Sequence, residues 1–170
     1  MSKINPLKET LQKLSPLNGV SALLSWDQET MMPDAAIEER AKQSVAISTM
    51  IHDQWNHADF KDQLSQLCDL DSGVPNQGLS SEECSFVQEV HREWRQRCAL
   101  PSKFVEAWSR ATTQSQHAWQ SARDASDFGV FAPHLKTLLG LCHDKIAYLG
   151  IPSGVRLRDC DILGSQVVSG

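Results

Sequence analysis

Residues 25–33 hold the densest group of side chains that could do chemistry in this sequence. The group combines an indole, two carboxylates and a hydroxyl, which belong to Trp26, Asp27, Glu29 and Thr30. Pro33 closes the stretch, and because proline disfavours helical geometry at the residue before it, the chain must turn here. A helical apolar pattern leads into the stretch and another follows it. The group is therefore either a ligand surface at a helix junction or the packed end of a helix.

Large aromatic side chains mostly serve packing, which favours the interpretation of Trp26 as an anchor. Under this interpretation Trp26 is largely buried against the helix that follows, and Trp26→Ala destabilises the fold by about 3–5 kcal/mol. The acids then have a structural role, in which Asp27 or Glu29 pairs with Arg40 across the turn. With Thr30, these are the candidate cleft or junction residues of the chain.

The sequence contains no motif that indicates another kind of catalytic chemistry. None of the six histidines is followed by glutamate, and no two of them are four residues apart. His52 and His57 are five apart, which places them about 140° apart around a helix, so they do not chelate as a pair. Phosphate-binding glycine loops and a nucleophile elbow are also absent. We therefore expect no catalytic residue, no metal ligand and no cofactor-binding residue within these 170 positions.

Composition indicates a globular protein. Hydrophobic residues make up 41% of the chain and charged residues 22%, with a net charge of −5 and both signs interspersed. This balance argues against a nucleic-acid partner or an anionic membrane surface, and no apolar run is long enough to span a bilayer. The five cysteines are odd in number and have no Cys-x-x-Cys pair, which is typical of free thiols in a reducing compartment. The cytoplasm is the expected location.

Helical periodicity covers residues 1–150 and predicts an all-α fold of about six helices. Pro16 predicts a kink or a restart within the first helix. Phe60, Leu64 and Leu67 are expected to face inward on a short third helix. The helix starts are predicted from capping residues, which are Asn5, Asp34, Asp59, Ser80 with Glu83, and Asp127. Residues 151–170 carry no helical stripe and are predicted to form a divergent, irregular tail.

Two blocks of residues resemble a known family. The first is residues 23–33 followed by Arg40 and Gln43, and the second runs from Leu100 to Gly150. In order and spacing they are similar to the opening of the thermostable-carboxypeptidase (Taq-type) family of zinc metallocarboxypeptidases. The resemblance covers roughly residues 7 to 150 and stops in the tail. It implies that the chain is an N-terminal helical layer of a larger, mostly helical peptidase fold.

The resemblance also implies where the chemistry lies. Members of this family bind zinc through a His-Glu-x-x-His helix and a later glutamate, and the resemblance places these ligands beyond residue 170. The expected function is a scaffold and cleft wall that does not hydrolyse peptides alone, with peptide substrate and divalent metal belonging to the longer protein. The alternative is a free-standing helical module that binds other proteins. Uncovered apolar faces on residues 104–111 and 135–142 would favour self-association.

Overall fold

The computed structural model describes residues 2–150. This part of the chain contains six α-helices and no β-strand, which confirms the predicted all-α class. The helices are α1 (Asn5–Thr30), α2 (Ile37–Asn56), α3 (Ala58–Ser65), α4 (Ser81–Cys98), α5 (Ser102–Ala125) and α6 (Phe128–Leu149). A 3₁₀ turn at Asp34–Ala36 joins α1 to α2. The predicted tail at 151–170 lies outside the described residues.

The first helix is one continuous element of 26 residues that passes through Pro16. The predicted alternative of a restart at this position is therefore wrong. At its other end, α1 stops three residues before Pro33, and the Met31 amide closes the last turn by donating to the Asp27 carbonyl oxygen at 2.9 Å. Pro33 itself is extended, with φ −64° and ψ 142°. The turn predicted at Pro33 thus follows from the geometry that proline imposes.

Local capping signals account for two of the later helix starts. Ser80 and Glu83 form the predicted capping box, in which the Ser80 hydroxyl accepts from the Glu83 amide at 3.2 Å. In return, Glu83 Oε2 accepts from the Ser80 amide at 2.9 Å. Asp127 caps α6 by accepting from the Gly129 amide at 2.8 Å. Both starts are confirmed because the capping group and its target lie within three residues of each other.

Three predicted caps are wrong. Asn5 is the first residue of α1, and the N-cap is Ile4, which makes no side-chain cap hydrogen bond. Asp34 begins the 3₁₀ turn instead of capping α2, whose N-cap residue Ala36 offers no side-chain acceptor. Asp59 lies inside α3, and the cap is His57, whose Nδ1 accepts from the Asp59 amide at 3.3 Å. A histidine ring can replace a carboxylate here because its unprotonated nitrogen is also an acceptor.

The main hydrophobic core lies among α1, α2, α3 and α4. Its buried members are Ile4, Leu7, Leu14, Ile51, Trp55, Phe60, Leu64, Leu67, Cys68, Val87 and Val90. The predicted inward face of α3 is confirmed for Phe60 and Leu64, which have no exposed surface. Leu67 is also buried, at 3% exposed, but it lies two residues after α3 ends. The Trp55 and Phe60 rings pack at a centroid distance of 4.8 Å. These four helices therefore share one continuous apolar interior.

The last two helices pack differently. α5 lies along α2, and α6 lies along α5. The buried face of α5 consists mostly of small residues, which are Ser109, Ala111, Thr113, Ser115, Ala118 and Ala122 beside Phe104. In α6 the apolar face predicted on residues 135–142 is only half-buried, and the buried side chain of the helix is Lys145. α5 thus covers one side of α2 and α6 packs on α5, without forming a second large apolar core.

Candidate functional site

Arg40, near the start of α2, joins that helix to the end of α1. Its guanidinium forms an ion pair with the Asp27 carboxylate and donates to the Leu24 carbonyl oxygen. Its Nε donates to Gln43 Oε1 at 3.1 Å. A buried guanidinium requires acceptors of this kind, because burial removes its water. The prediction that Asp27 or Glu29 pairs with Arg40 is confirmed for Asp27.

Trp26 does not anchor the junction. Its side chain projects from α1 and is 58% exposed, so the prediction of a largely buried indole is wrong. The residue of this stretch that is buried is Gln28, two positions further on and therefore about 200° around the helix. The packed face of α1 is set by where α2 and α5 lie, and it passes through Gln28 and Asp27 instead of Trp26.

Gln28 links α1 to α5 and was missed by the sequence analysis. Its amide Nε2 donates to the Thr113 carbonyl oxygen at 3.0 Å and lies 3.4 Å from Gln116 Oε1. A signal for it exists in the sequence, because the buried residues of α1 are Leu7, Leu14 and Gln28, all separated by multiples of seven. Continuing the seven-residue period of the two leucines would have indicated position 28.

The other two candidates, Glu29 and Thr30, lie at the surface. Glu29 Oε1 accepts from the Gln116 amide at 2.6 Å, and the Thr30 hydroxyl donates to the Trp26 carbonyl oxygen at 2.7 Å. Both line an open, polar surface cavity of about 430 Å³, which also contains Asp34 and His117. The His117 and Asp34 side chains approach to 3.3 Å. These contacts give each polar group a structural partner.

A larger cavity of about 580 Å³ opens between α1, α2, α4 and α5. We call it the interhelical cavity. Serine, threonine and charged side chains line much of it, together with Phe104 and Trp108. Within it the Ser48 and Ser109 hydroxyls are 3.1 Å apart. Lys145 reaches the cavity from α6, and its ammonium lies 5.0 Å from the centre of the Trp108 ring.

Lys145 was not anticipated either. It is 4% exposed, and burial lowers the pKa of its ammonium. The position falls within the apolar stripe of α6, three residues after Cys142 and four before Leu149. A lysine at such a position is unusual because charged side chains are rarely buried without a partner. A lysine within the apolar stripe of a helix was therefore the signal in the sequence that pointed to Lys145.

The remaining titratable groups near the core favour structural roles. Burial lowers the pKa of His52, whose ring also contacts the Asn56 amide at 3.2 Å. Burial raises the pKa of the Cys68 and Cys98 thiols, which disfavours the reactive thiolate. Neither cysteine is therefore a good candidate for a nucleophile.

No metal centre is formed by the described residues. Among residues 2–150 there is no group of three or more His, Cys, Asp or Glu side chains placed to hold an ion. His57 is used as the cap of α3, and His91 lies 2.8 Å from the Leu70 carbonyl oxygen. In the same range no helix combines the length and apolar character that a bilayer span requires.

Comparison of the sequence with known protein families identifies the family to which this chain belongs. Residues 6–159 match the family model described as carboxypeptidase Taq (M32) metallopeptidase. The match covers most of the 170 residues, so the chain belongs to the M32 family. This confirms the family resemblance carried by residues 23–33 and 100–150.

Named relatives agree with this assignment. The chain is 28% identical over 147 residues to thermostable carboxypeptidase 1 of Thermus thermophilus, a match that covers 84% of this chain and 28% of the relative. It is 27% identical to thermostable carboxypeptidase 1 of Pyrococcus furiosus over 82% of this chain and 27% of that protein. The chain therefore spans little more than a quarter of the length of these relatives.

Solved structures show the same helical arrangement. The M32 carboxypeptidase of Deinococcus radiodurans is 32% identical, with a TM-score of 0.62 over 86% of this chain and 28% of that one. A carboxypeptidase of Pyrococcus furiosus superposes with a TM-score of 0.69 at 24% identity over 94% of this chain and 33% of that one. The six helices thus correspond to a part of a larger helical fold.

Proposed function

We propose that this chain supplies the N-terminal helical layer of an M32 metallocarboxypeptidase, acting as scaffold and as one wall of the substrate cleft. The observation that carries the proposal is the family match across residues 6–159. Helical similarity to about a third of a solved M32 chain supports it. The activity proposed for the longer protein is removal of single residues from the C-termini of peptides, in the cytoplasm.

The described residues do not fit the metal that such an enzyme needs. Catalytic zinc requires three converging protein ligands and an open fourth position. Residues 2–150 bring no such set together, because His52 and His91 are buried with structural contacts and His57 caps a helix. We therefore propose that metal and catalytic groups come from protein sequence other than these residues, and that the chain alone is inactive.

An activity assay tests this proposal directly. The chain is purified, supplied with zinc or cobalt, and assayed for release of the C-terminal residue from blocked dipeptides. We expect no release by the chain alone. Release that a chelator abolishes and added metal restores would contradict the proposal.

A chimera provides the complementary test. The corresponding helices of the Thermus thermophilus enzyme are replaced by residues 1–150 of this chain, joined at Gly150. Chelator-sensitive release of C-terminal residues by the chimera would support the scaffold role. As a matched control, the same chimera carries Phe60→Ala, which weakens the core of the grafted layer. We expect the control to lose activity at a lower temperature.

A second function is favoured by exposed apolar side chains. Val20, Leu23 and Trp26 are exposed on α1, and Leu139 and Tyr148 are exposed on α6. A free-standing interaction module would use such faces to bind a partner helix or a second copy of the chain. A protein that remains monomeric by light scattering, while the chimera is active, would favour the peptidase layer over the module. Concentration-dependent dimers without chimera activity would favour the module.

A further inference from the structure

The interhelical cavity has the dimensions of a small-molecule site. Its volume of about 580 Å³ lies within the range of roughly 300–1,000 Å³ that is common for ligand pockets. Residues from α1, α2, α4 and α5 form its walls, and Lys145 adds a side chain from α6. Five helices therefore contribute to one concave surface.

Its charged side chains are paired, with one exception. Arg92 contacts Glu89 at 2.6 Å, and Arg97 contacts Glu93 at 2.7 Å. Lys145 forms no ion pair with any carboxylate in the part of the chain that the structure describes. Pairing of the other four groups leaves the Lys145 ammonium as the unpaired cation among the charged side chains that line the cavity.

The surroundings of Lys145 make this single charge significant. Its side chain is 4% exposed, and the Trp108 ring lies 5.0 Å from the ammonium. A cation–π contact offsets only part of the cost of burying an ammonium. Burial lowers the pKa of the group accordingly. An anion placed beside Nζ would supply the missing counter-charge.

Neutral hydrogen-bonding groups share the cavity with the ammonium. Ser48 and Ser109 bring two hydroxyls within 3.1 Å of each other. His52 lines the same cavity, and burial lowers the pKa of its ring, which favours the neutral imidazole near pH 7. One cation with several neutral donors suits a singly charged carboxylate. A phosphate dianion would require further charge or a guanidinium fork, and both arginines of the cavity are already paired.

We infer that the interhelical cavity is a binding site for a small carboxylate, with Lys145 as the charged group that holds it. The Trp108 ring lies 5.0 Å from the ammonium, and the Ser48 and Ser109 hydroxyls line the same cavity, where they would contact the rest of the ligand. The carboxylate belongs either to a free organic acid or to the C-terminus of a short peptide. This inference does not depend on the proposed peptidase role, because every residue that lines the cavity belongs to the described part of this chain.

The experiment uses the chain labelled with ¹³C at lysine Cε and titrates it with two probes, acetate and N-acetyl-dialanine. Sodium chloride at matched ionic strength controls for screening. We expect the Lys145 Cε signal to shift saturably with one or both probes while the signals of other lysines do not. Tighter binding of the blocked dipeptide identifies a peptide terminus, and equal or tighter binding of acetate identifies a free acid.

Variants assign the effect to Lys145. Lys145→Met should lower the affinity for the probe at least tenfold, whereas Lys145→Arg, which keeps the charge, should retain binding within a few-fold. The matched control is Lys136→Met, which removes an exposed lysine from the same helix and should leave the affinity unchanged. Absence of a saturable shift in the unmodified chain would overturn the inference, as would unchanged affinity in Lys145→Met. If that variant does not fold, the titration of the unmodified chain decides alone.

Discussion

The four N-terminal helices and the α5–α6 pair bury different types of residue. Among α1–α4 the interior consists of large apolar side chains such as Leu7, Phe60 and Leu64, all without exposed surface. On α5 the buried residues are mostly alanine, serine and threonine, and on α6 the buried residue is Lys145. The first region gains its stability from apolar area, whereas the second depends on close approach of helix backbones.

This difference indicates which helices have surface that other protein would have to cover. Ser115, in the α5 interface, has a buried hydroxyl without a hydrogen-bond partner among the described residues. The apolar stripe of α6 is only half-buried, and Leu139 and Tyr148 are exposed. The α1–α4 region already has the large apolar interior of an independent core. The α5–α6 pair has the features expected of a layer that other protein covers, in agreement with the proposed role.

The largest effect is expected from Phe60→Ala. Phe60 is fully buried and packs on Trp55, so its truncation leaves a cavity in the α1–α4 core and should reduce the free energy of unfolding by about 3–5 kcal/mol. The measurement is urea unfolding followed by circular dichroism. Phe128→Ala is the matched control, because Phe128 is 65% exposed at the start of α6 and its loss should change the free energy by less than about 0.5 kcal/mol. If both substitutions lowered the free energy of unfolding by the same amount, the proposed difference between the α1–α4 core and the α5–α6 pair would be wrong.

The contrast between these regions also explains what the sequence could predict. The Ser80–Glu83 box and the inward face of α3 were predicted because both depend on residues within a few positions of one another. The ion pair between Asp27 and Arg40 was predicted because the two residues flank a single turn. Each of these features is local in the chain.

Features that depend on how distant helices meet were not predicted. Trp26 was assigned to the core from its residue type, yet the packed side of α1 is fixed by α2 and by the α5 contact through Gln28. The interhelical cavity draws on five helices, so neither Lys145 nor His52 could be placed in it from periodicity alone. Residue type and helical phase limit which residues can be buried or can line a cavity. Tertiary packing decides which of these residues do so.

An intermediate effect is expected from Ala118→Leu. Ala118 is 7% exposed on the face of α5 whose small side chains allow close packing. Added volume must be accommodated by moving one helix away, and we expect a loss of about 1–3 kcal/mol in the free energy of unfolding. The control is the same substitution at Ala107, which is exposed on α5 and should stay within about 0.5 kcal/mol. If both variants unfold at the same urea concentration, close packing does not hold α5 in place.

The smallest effect is expected from Trp26→Ala, although tryptophan is the largest side chain of all. Trp26 is 58% exposed, and its own backbone carbonyl already accepts from the Thr30 hydroxyl. Removing the indole therefore takes little apolar area out of contact, and the free energy of unfolding should change by less than about 0.5 kcal/mol.

Trp55→Ala provides the matched comparison for this last variant. Trp55 is 3% exposed and belongs to the α1–α4 core, so the same substitution there should cost about 3–5 kcal/mol. Sedimentation of the Trp26 variant adds a second measurement, because a self-association surface on α1 would weaken when the indole is lost even though the fold does not. A large loss of stability in Trp26→Ala would show that the indole is packed in solution and would restore its role as the anchor of the helix junction.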